Sequence, residues 1–222
     1  MYEIYETKER VLADNDLAAS ELRRILKENG TYMVNLMGSP GSGKTSLLKQ
    51  TINALKDKYR IAVMEADVDS SVDAETISQL GVKVIQLHSG GLCHMDADMT
   101  KRGVEKLGIE NIDLLFLENI GNLVCPAEFD TGANLKAMIL SVPEGDDKPL
   151  KYPLMFTVSD VMLINKIDTL PVFDFDIDKC LERARKLNPD IIHFPVSALK
   201  GEGIEAWINW LDKSISDWRK TL

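Results

Sequence analysis

The segment GSPGSGKTS, residues 38–46, constrains the fold more than any other part of the chain. It matches the pattern G-x-x-x-x-G-K-[ST], and it stands between an apolar run, TYMVNLM, and a stretch carrying Leu48, Ile52 and Leu55 at helical spacing. A buried strand must therefore turn sharply into a helix here. Gly41 and Gly43 permit backbone angles that point successive N–H groups at phosphate oxygens. The helix start behind them adds positive potential. Lys44 is expected to reach terminal phosphates as a point charge and the hydroxyl of Thr45 to coordinate Mg²⁺, with Gly38, Ser42 and Ser46 completing the phosphate-binding set.

Apolar runs at 31–37, 60–65, 82–87, 112–118, 135–142, 161–166 and 191–196 read as short strands buried on both faces. Amphipathic segments separate them. The last of these carries Ile204, Trp207, Ile208, Leu211, Ile215 and Trp218 at helical spacing. The pattern predicts an α/β fold, a three-layer P-loop NTPase sandwich around a mostly parallel seven-stranded sheet. Residues 7–29 read as a further helix closed by Asn29-Gly30. At 222 residues, one G domain spanning 1–222 is expected, with residues 1–30 as a helical extension packed on it. EGDDKPLKYP, residues 144–153, reads as a loop that interrupts the alternation.

No run approaches the ~20 apolar residues needed to cross a bilayer. The start MYEIYETKER lacks the basic and apolar pattern of a signal peptide, so a cytoplasmic protein without membrane attachment is expected. A formal charge of −9 argues against nucleic acid as a partner. Three cysteines, an odd number, point to metal binding, catalysis or packing rather than a disulfide framework.

Magnesium requires carboxylates, and Asp67 and Glu118 stand where strand ends bring them near the phosphates, with Asp69 and Asp73 as further candidates. NKID, Asn165 to Asp168, follows a strand late in the chain. Guanine presents two adjacent donors that one carboxylate accepts together, and Asp168 is that carboxylate; adenine would set an acceptor against it. Lys166 can lay its stem along the base, and Asn165 can tie neighbouring loops. SALKG, with Ser197 and Ala198, can offer backbone N–H groups to the guanine carbonyl. The P-loop, NKxD and SAxK in this order resemble the G motifs of GTP-binding proteins, so GTP is favoured over ATP. ENIGN, with Glu118, Gly121 and Asn122, replaces the Asp-x-x-Gly-Gln of small GTPases, which predicts slow turnover.

GLCHMDADM sets Cys93 beside His94 in a glycine-led loop, and NLVCPAEF offers Cys125 in a second loop. Thiolate and imidazole suit Ni²⁺ or Zn²⁺, and the preceding strands, at 82–87 and 112–118, are expected to be close neighbours. Three ligands leave a four-coordinate metal one short, to be completed by water or by two chains pooling ligands at a two-fold axis. His88 is a candidate to buttress the ligands. Cys180 and His193, within apolar helical and strand patterns, read as packing residues.

GSPGSGKTS, the CHMDA loop, ENIGNLVCPAEFD, EGDDKPLKYP, NKID and SALKG together resemble, over nearly the whole chain, the G3E family of P-loop GTPases and within it the HypB group, which assists nickel insertion into [NiFe] hydrogenase. The resemblance implies a GTP-dependent homodimer carrying metal at its interface, on Cys93, His94 and Cys125 here. It implies two partners, a HypA-type nickel protein and the hydrogenase large-subunit precursor, and an approach of Lys148 to nucleotide or partner chain. Some relatives add an N-terminal cysteine motif or histidine-rich tract; neither Cys nor His precedes residue 88, so nickel storage is not expected. The competing readings are a urease-type accessory GTPase, whose Cys-Pro-His motif is missing here, a P-loop kinase acting on a small molecule, and a nucleotide-sensing scaffold without catalysis.

Overall fold

A computed structural model describes residues 7–67 and 72–222. The strands are β1 (Tyr32–Gly38), β2 (Ile61–Asp67), β3 (Lys83–His88), β4 (Leu114–Glu118), β5 (Leu135–Ser141), β6 (Val161–Asn165) and β7 (Ile192–Pro195). The helices are α1 (Thr7–Asn29), α2 (Lys44–Leu55), α3 (Val72–Ser78), α4 (Ala97–Leu107), α5 (Cys125–Glu128), α6 (Lys148–Lys151), α7 (Pro153–Val158), α8 (Ile177–Leu187) and α9 (Ile204–Arg219). All seven strands pair in parallel, in the order β3-β2-β4-β1-β5-β6-β7. Helices cover both faces, the three-layer P-loop sandwich that the alternation predicts.

Side chains alternate across the sheet. Val34 and Leu36 of β1 meet Leu48 and Ile52 of α2 and Trp207 and Leu211 of α9. Met33 faces the other way, toward Leu22 and Leu26 of α1 and Val104 of α4, and Met37 packs with Met155, Phe156 and Cys180 beneath α7 and α8. This two-sided burial is why the strands read as continuous apolar runs. Asn29 ends α1, and the amides of Gly30 and Thr31 return to the carbonyls of Lys27 and Leu26. Among the described residues no helix is long and apolar enough to cross a membrane.

Three expectations need correction, and one strand is longer than expected. β2 lies between β3 and β4, so the strands leading to the two cysteine loops are not neighbours. β2 runs two residues further than the expected 60–65, so that Asp67, placed at a strand end from sequence, is its last residue. Cys125 opens helix α5, with Pro126 at the position where a missing N–H costs nothing. The charged break at 144–153 contains the short helix α6 and runs into α7, each with a proline in its first turn. Asp69 lies outside the described residues.

At the opposite end of the sheet from the P-loop, Asp113 joins three elements. Its carboxylate accepts from Arg60 through the backbone N at 2.9 Å, Nε at 2.7 Å and Nη2 at 2.9 Å, and from Arg219 Nη2 at 2.7 Å. The Arg60 side chain above all holds the Asp113 carboxyl well below the usual carboxylate range. A depressed folded-state pKa stabilises above the unfolded value and loses that contribution as pH falls. Asp113→Ala is therefore expected to cost about 1–2 kcal/mol at pH 7 by urea unfolding. The gap to wild type should narrow as pH drops below ~3.9.

Candidate functional site

The phosphate loop joins the carboxyl end of β1, the central strand, to α2, where an open parallel sheet gathers its ligand contacts. Gly43 has φ +98°, and a Cβ there would collide with the Asn165 side-chain amide, so no other residue fits without displacing it. Lys44 is buried, its Nζ donating to the carbonyls of Gly38 at 3.3 Å and Ser39 at 3.2 Å. Carbonyls are weak partners for an ammonium, and a phosphate oxygen would replace them at a gain. The buried Ser42 hydroxyl has no partner among the described residues. Gly41, Gly43, Lys44, Thr45 and Ser46 line a cleft of about 640 Å³.

The opposite wall is acidic. The β2–β4 register sets Glu65 beside Glu118 at the carboxyl ends of adjacent strands. Both are buried; Glu118 Oε1 accepts the Thr45 hydroxyl at 2.8 Å, while Glu118 Oε2 and Glu65 Oε1 have no partner among the described residues. Burial, then the charge of Glu118, pushes the Glu65 carboxyl up to about 10, and burial also raises Glu118 despite the attraction of Lys44. Burial and mutual repulsion thus favour a proton on this pair over two bare charges. Asp67 and Asp73 line the same cleft. A hydroxyl with several carboxylates is the hard oxygen set that suits Mg²⁺. From sequence, Glu65 reads only as strand; its signal is a carboxylate directly after the apolar run IAVM.

At the end of β6, Asn165 ties three segments together. Its Nδ2 donates to Ser42 O at 2.9 Å, and its Oδ1 accepts from Lys166 N at 2.8 Å and Ala198 N at 3.0 Å. Lys166 takes a left-handed conformation, φ 63°, and its Nζ donates to Gly41 O at 2.6 Å. Ser197 Oγ donates to Asp168 Oδ1 at 2.6 Å, orienting the carboxylate. The Ala198 amide is thus committed to Asn165, which differs from the expectation that it faces a ligand carbonyl.

The two cysteine loops do meet, although β2 separates their strands. Cys93 Sγ and Cys125 Sγ lie 2.6 Å apart, both as free thiols, Cys93 exposed and Cys125 half-buried. That distance is longer than a disulfide bond, ~2.05 Å. The hydrogen bond with the Cys93 thiol, and after it burial, raises the Cys125 thiol above its ordinary range, with the charge of Cys93 adding less. His94 Nδ1 lies 3.9 Å from Cys93 Sγ, and its ring stacks on Phe129 with centroids 3.9 Å apart and planes 8° from parallel. Burial lowers the His94 pKa and favours the neutral imidazole that ligates metal. Among the described residues no group of three or more His, Cys, Asp or Glu side chains closes a metal cage. The chain brings together two sulfurs, with the imidazole at the margin. His88, at the end of β3, is exposed; Cys180 is fully buried on the inner face of α8 and its thiol is pushed up to about 12 by burial; His193 is half-buried in β7.

A parallel sheet with a Gly-rich loop at the end of its central strand, a buried lysine and a hydroxyl–carboxylate pair defines a P-loop nucleotide-binding protein. The family model described as "CobW/HypB/UreG, nucleotide-binding domain" matches residues 32–194. The hydrogenase maturation factor HypB of Rhizobium leguminosarum bv. viciae is 47% identical over 211 residues, which cover 95% of this chain and 71% of that one. The crystal structure of HypB from Archaeoglobus fulgidus superposes with a TM-score of 0.85 at 37% identity, covering 92% of this chain and 100% of that one. A crystal structure of HypB from Helicobacter pylori in complex with nickel gives a TM-score of 0.85 at 36% identity, covering 92% and 96%. The chain belongs to the CobW/HypB/UreG family, within its HypB branch.

Proposed function

We propose that this chain hydrolyses GTP to GDP and phosphate and carries nickel for insertion into [NiFe] hydrogenase, acting in the cytoplasm as a homodimer. The observation that carries the reading is the meeting of Cys93 and Cys125, 2.6 Å apart, on the same end of the sheet as the phosphate loop. A metallochaperone needs a soft ligand set whose grip a second ligand can change, and the two sites share connecting segments.

Each residue has a task in this account. The P-loop amides of Gly41 to Ser46 bind the phosphates, with Gly38 setting the turn. Lys44 exchanges its carbonyl partners for phosphate oxygens. Thr45, Glu118 and Asp67 would hold Mg²⁺, which supplies charge neutralisation on those oxygens. Asp168, oriented by Ser197, accepts the two guanine donors, and Asn165 locks the base loops to the P-loop. Cys93, His94 and Cys125 hold Ni²⁺, and the same donors accept Zn²⁺.

The incomplete cage favours a second copy as the source of the remaining ligands. Exposed Leu92 and Val124 flank the cysteines, and exposed Leu150 and Leu154 stand four residues apart across α6 and α7, with α7 packed on α5. The HypA-type nickel protein and the hydrogenase large-subunit precursor are the proposed donor and recipient. Nucleotide control has a physical route to Cys93. Ser89 N donates to Asp67 O at 3.2 Å, and Ser89 Oγ to Leu92 O at 2.6 Å.

The class of reaction is tested by competition between GTP and ATP on the Mg²⁺-loaded chain. GTP is expected to bind at least ~100-fold tighter, because adenine leaves Asp168 facing an acceptor. Equal affinity, with phosphate passed to a small-molecule acceptor, would favour the kinase reading instead.

A further inference from the structure

The segment between Glu118 and Cys125 sits against the phosphate loop on one side and grips the metal-site cysteine on the other. Asn122 makes both attachments. Its backbone N donates to Gly38 O at 3.1 Å, forming an isolated antiparallel bridge between the two residues. The same carbonyl accepts Lys44 Nζ at 3.3 Å. Next to it, Gly121 is pressed on the loop so closely that a Cβ would stand 2.9 Å from Pro40 Cγ and 3.0 Å from Pro40 N. The segment therefore cannot stay still when the phosphate loop rearranges.

The Asn122 side chain faces the other way. Oδ1 accepts from Val124 N at 2.7 Å and Cys125 N at 3.2 Å, fixing the first turn of α5, and Nδ2 lies 3.5 Å from Cys125 Sγ. A continuous chain of hydrogen bonds thus runs from the Lys44 ammonium through Gly38 O and Asn122 to the backbone and sulfur of Cys125. When Lys44 turns to a phosphate, Gly38 O loses its charged donor and keeps the Asn122 amide.

We infer that Asn122 is the positioning residue through which occupancy of the phosphate loop sets the placement of Cys125 at the metal site. The inference rests on the nucleotide-gated nickel reading above and assigns its control to one carboxamide. Asn122 touches neither nucleotide nor the reacting atoms in this role; it acts through Cys125.

The test measures Ni²⁺ affinity of the full chain loaded with GDP and with a non-hydrolysable GTP analogue, for wild type, Asn122→Ala and Asn122→Ser. The ratio of the two affinities is the readout, since uniform loss from a loosened α5 cancels in it. Fluorescent-nucleotide binding and thermal melting identify a variant that has not folded. Wild type is expected to show a ratio of about tenfold. Asn122→Ala should bring it within about threefold of unity, because both cap bonds and the sulfur contact are gone. Asn122→Ser keeps a hydroxyl acceptor for the α5 amides and should recover a ratio above that of Ala. If Asn122→Ala keeps the wild-type ratio, or Ser recovers nothing beyond Ala, the relay is wrong and the gated reading survives. If wild type itself shows equal affinity in both nucleotide states, the underlying reading fails and takes the relay with it.

Discussion

Lys44→Ala is expected to lower single-turnover GTP hydrolysis by about three orders of magnitude. Lys44 is the buried ammonium of the cleft; Lys166, at the rim, is half-exposed and tied to Gly41 O. Phosphoryl transfer places growing negative charge on oxygens that Lys44, among the described residues, is placed to meet from inside the loop. A second loss compounds the first. Its charge also draws down the raised pKa of Glu65 and Glu118, so removing it leaves that pair holding its proton more firmly against Mg²⁺. Phosphate release from enzyme in excess over GTP measures the effect. Retention of a tenth or more of wild-type turnover would mean that charge neutralisation comes from elsewhere, and hydrogenase maturation that proceeds without hydrolysis would favour the scaffold reading.

Asp168→Asn should weaken GTP binding at least ~100-fold and transfer preference to a purine bearing a carbonyl where guanine has its amine. A carboxylate offers only acceptors, and guanine presents two donors to it. Asn replaces one acceptor with a donor, so one of guanine's N–H groups meets another N–H. Xanthine, with one donor beside one acceptor, matches the amide. The Ser197 hydroxyl can still donate to the retained oxygen, so the side chain keeps its orientation. Equilibrium binding of GTP, XTP and ATP to both chains is the check, and unchanged GTP affinity would remove Asp168 from the base site.

Local chemistry was legible in the sequence, and non-local pairing was not. The seven apolar runs coincide with the seven strands to within a residue or two at most ends, because two-sided burial leaves a composition signal in each strand alone. GSPGSGKTS and NKID stand out because their residues are contiguous in the chain, and the structure places them at the carboxyl ends of β1 and β6. Strand order leaves no such trace: β2 sits between β3 and β4, contrary to expectation, and the cysteines still meet because the loops beyond the strands span it. Glu65 was hidden for the same reason. Alone it reads as a strand terminus, and only its register with Glu118 makes it part of an acidic wall. Cys125 and residues 144–153 read as loop from their prolines and charges, yet proline at the first turn is compatible with the helices that begin there. The Ala198 amide was assigned to a ligand because its competition from Asn165, 33 residues away, is visible only in three dimensions.

The most direct test of a nucleotide-gated nickel site at a subunit seam is Ni²⁺ bound per chain, with mass in solution, for wild type and Cys125→Ala. Each is loaded with GDP or a non-hydrolysable GTP analogue. The account predicts nickel on a wild-type dimer, in an amount or affinity that changes with nucleotide, and loss of at least ~100-fold in affinity when Cys125 is replaced. Nickel binding that persists unchanged in Cys125→Ala would place the metal elsewhere and leave a nucleotide-binding protein whose two meeting cysteines serve another purpose.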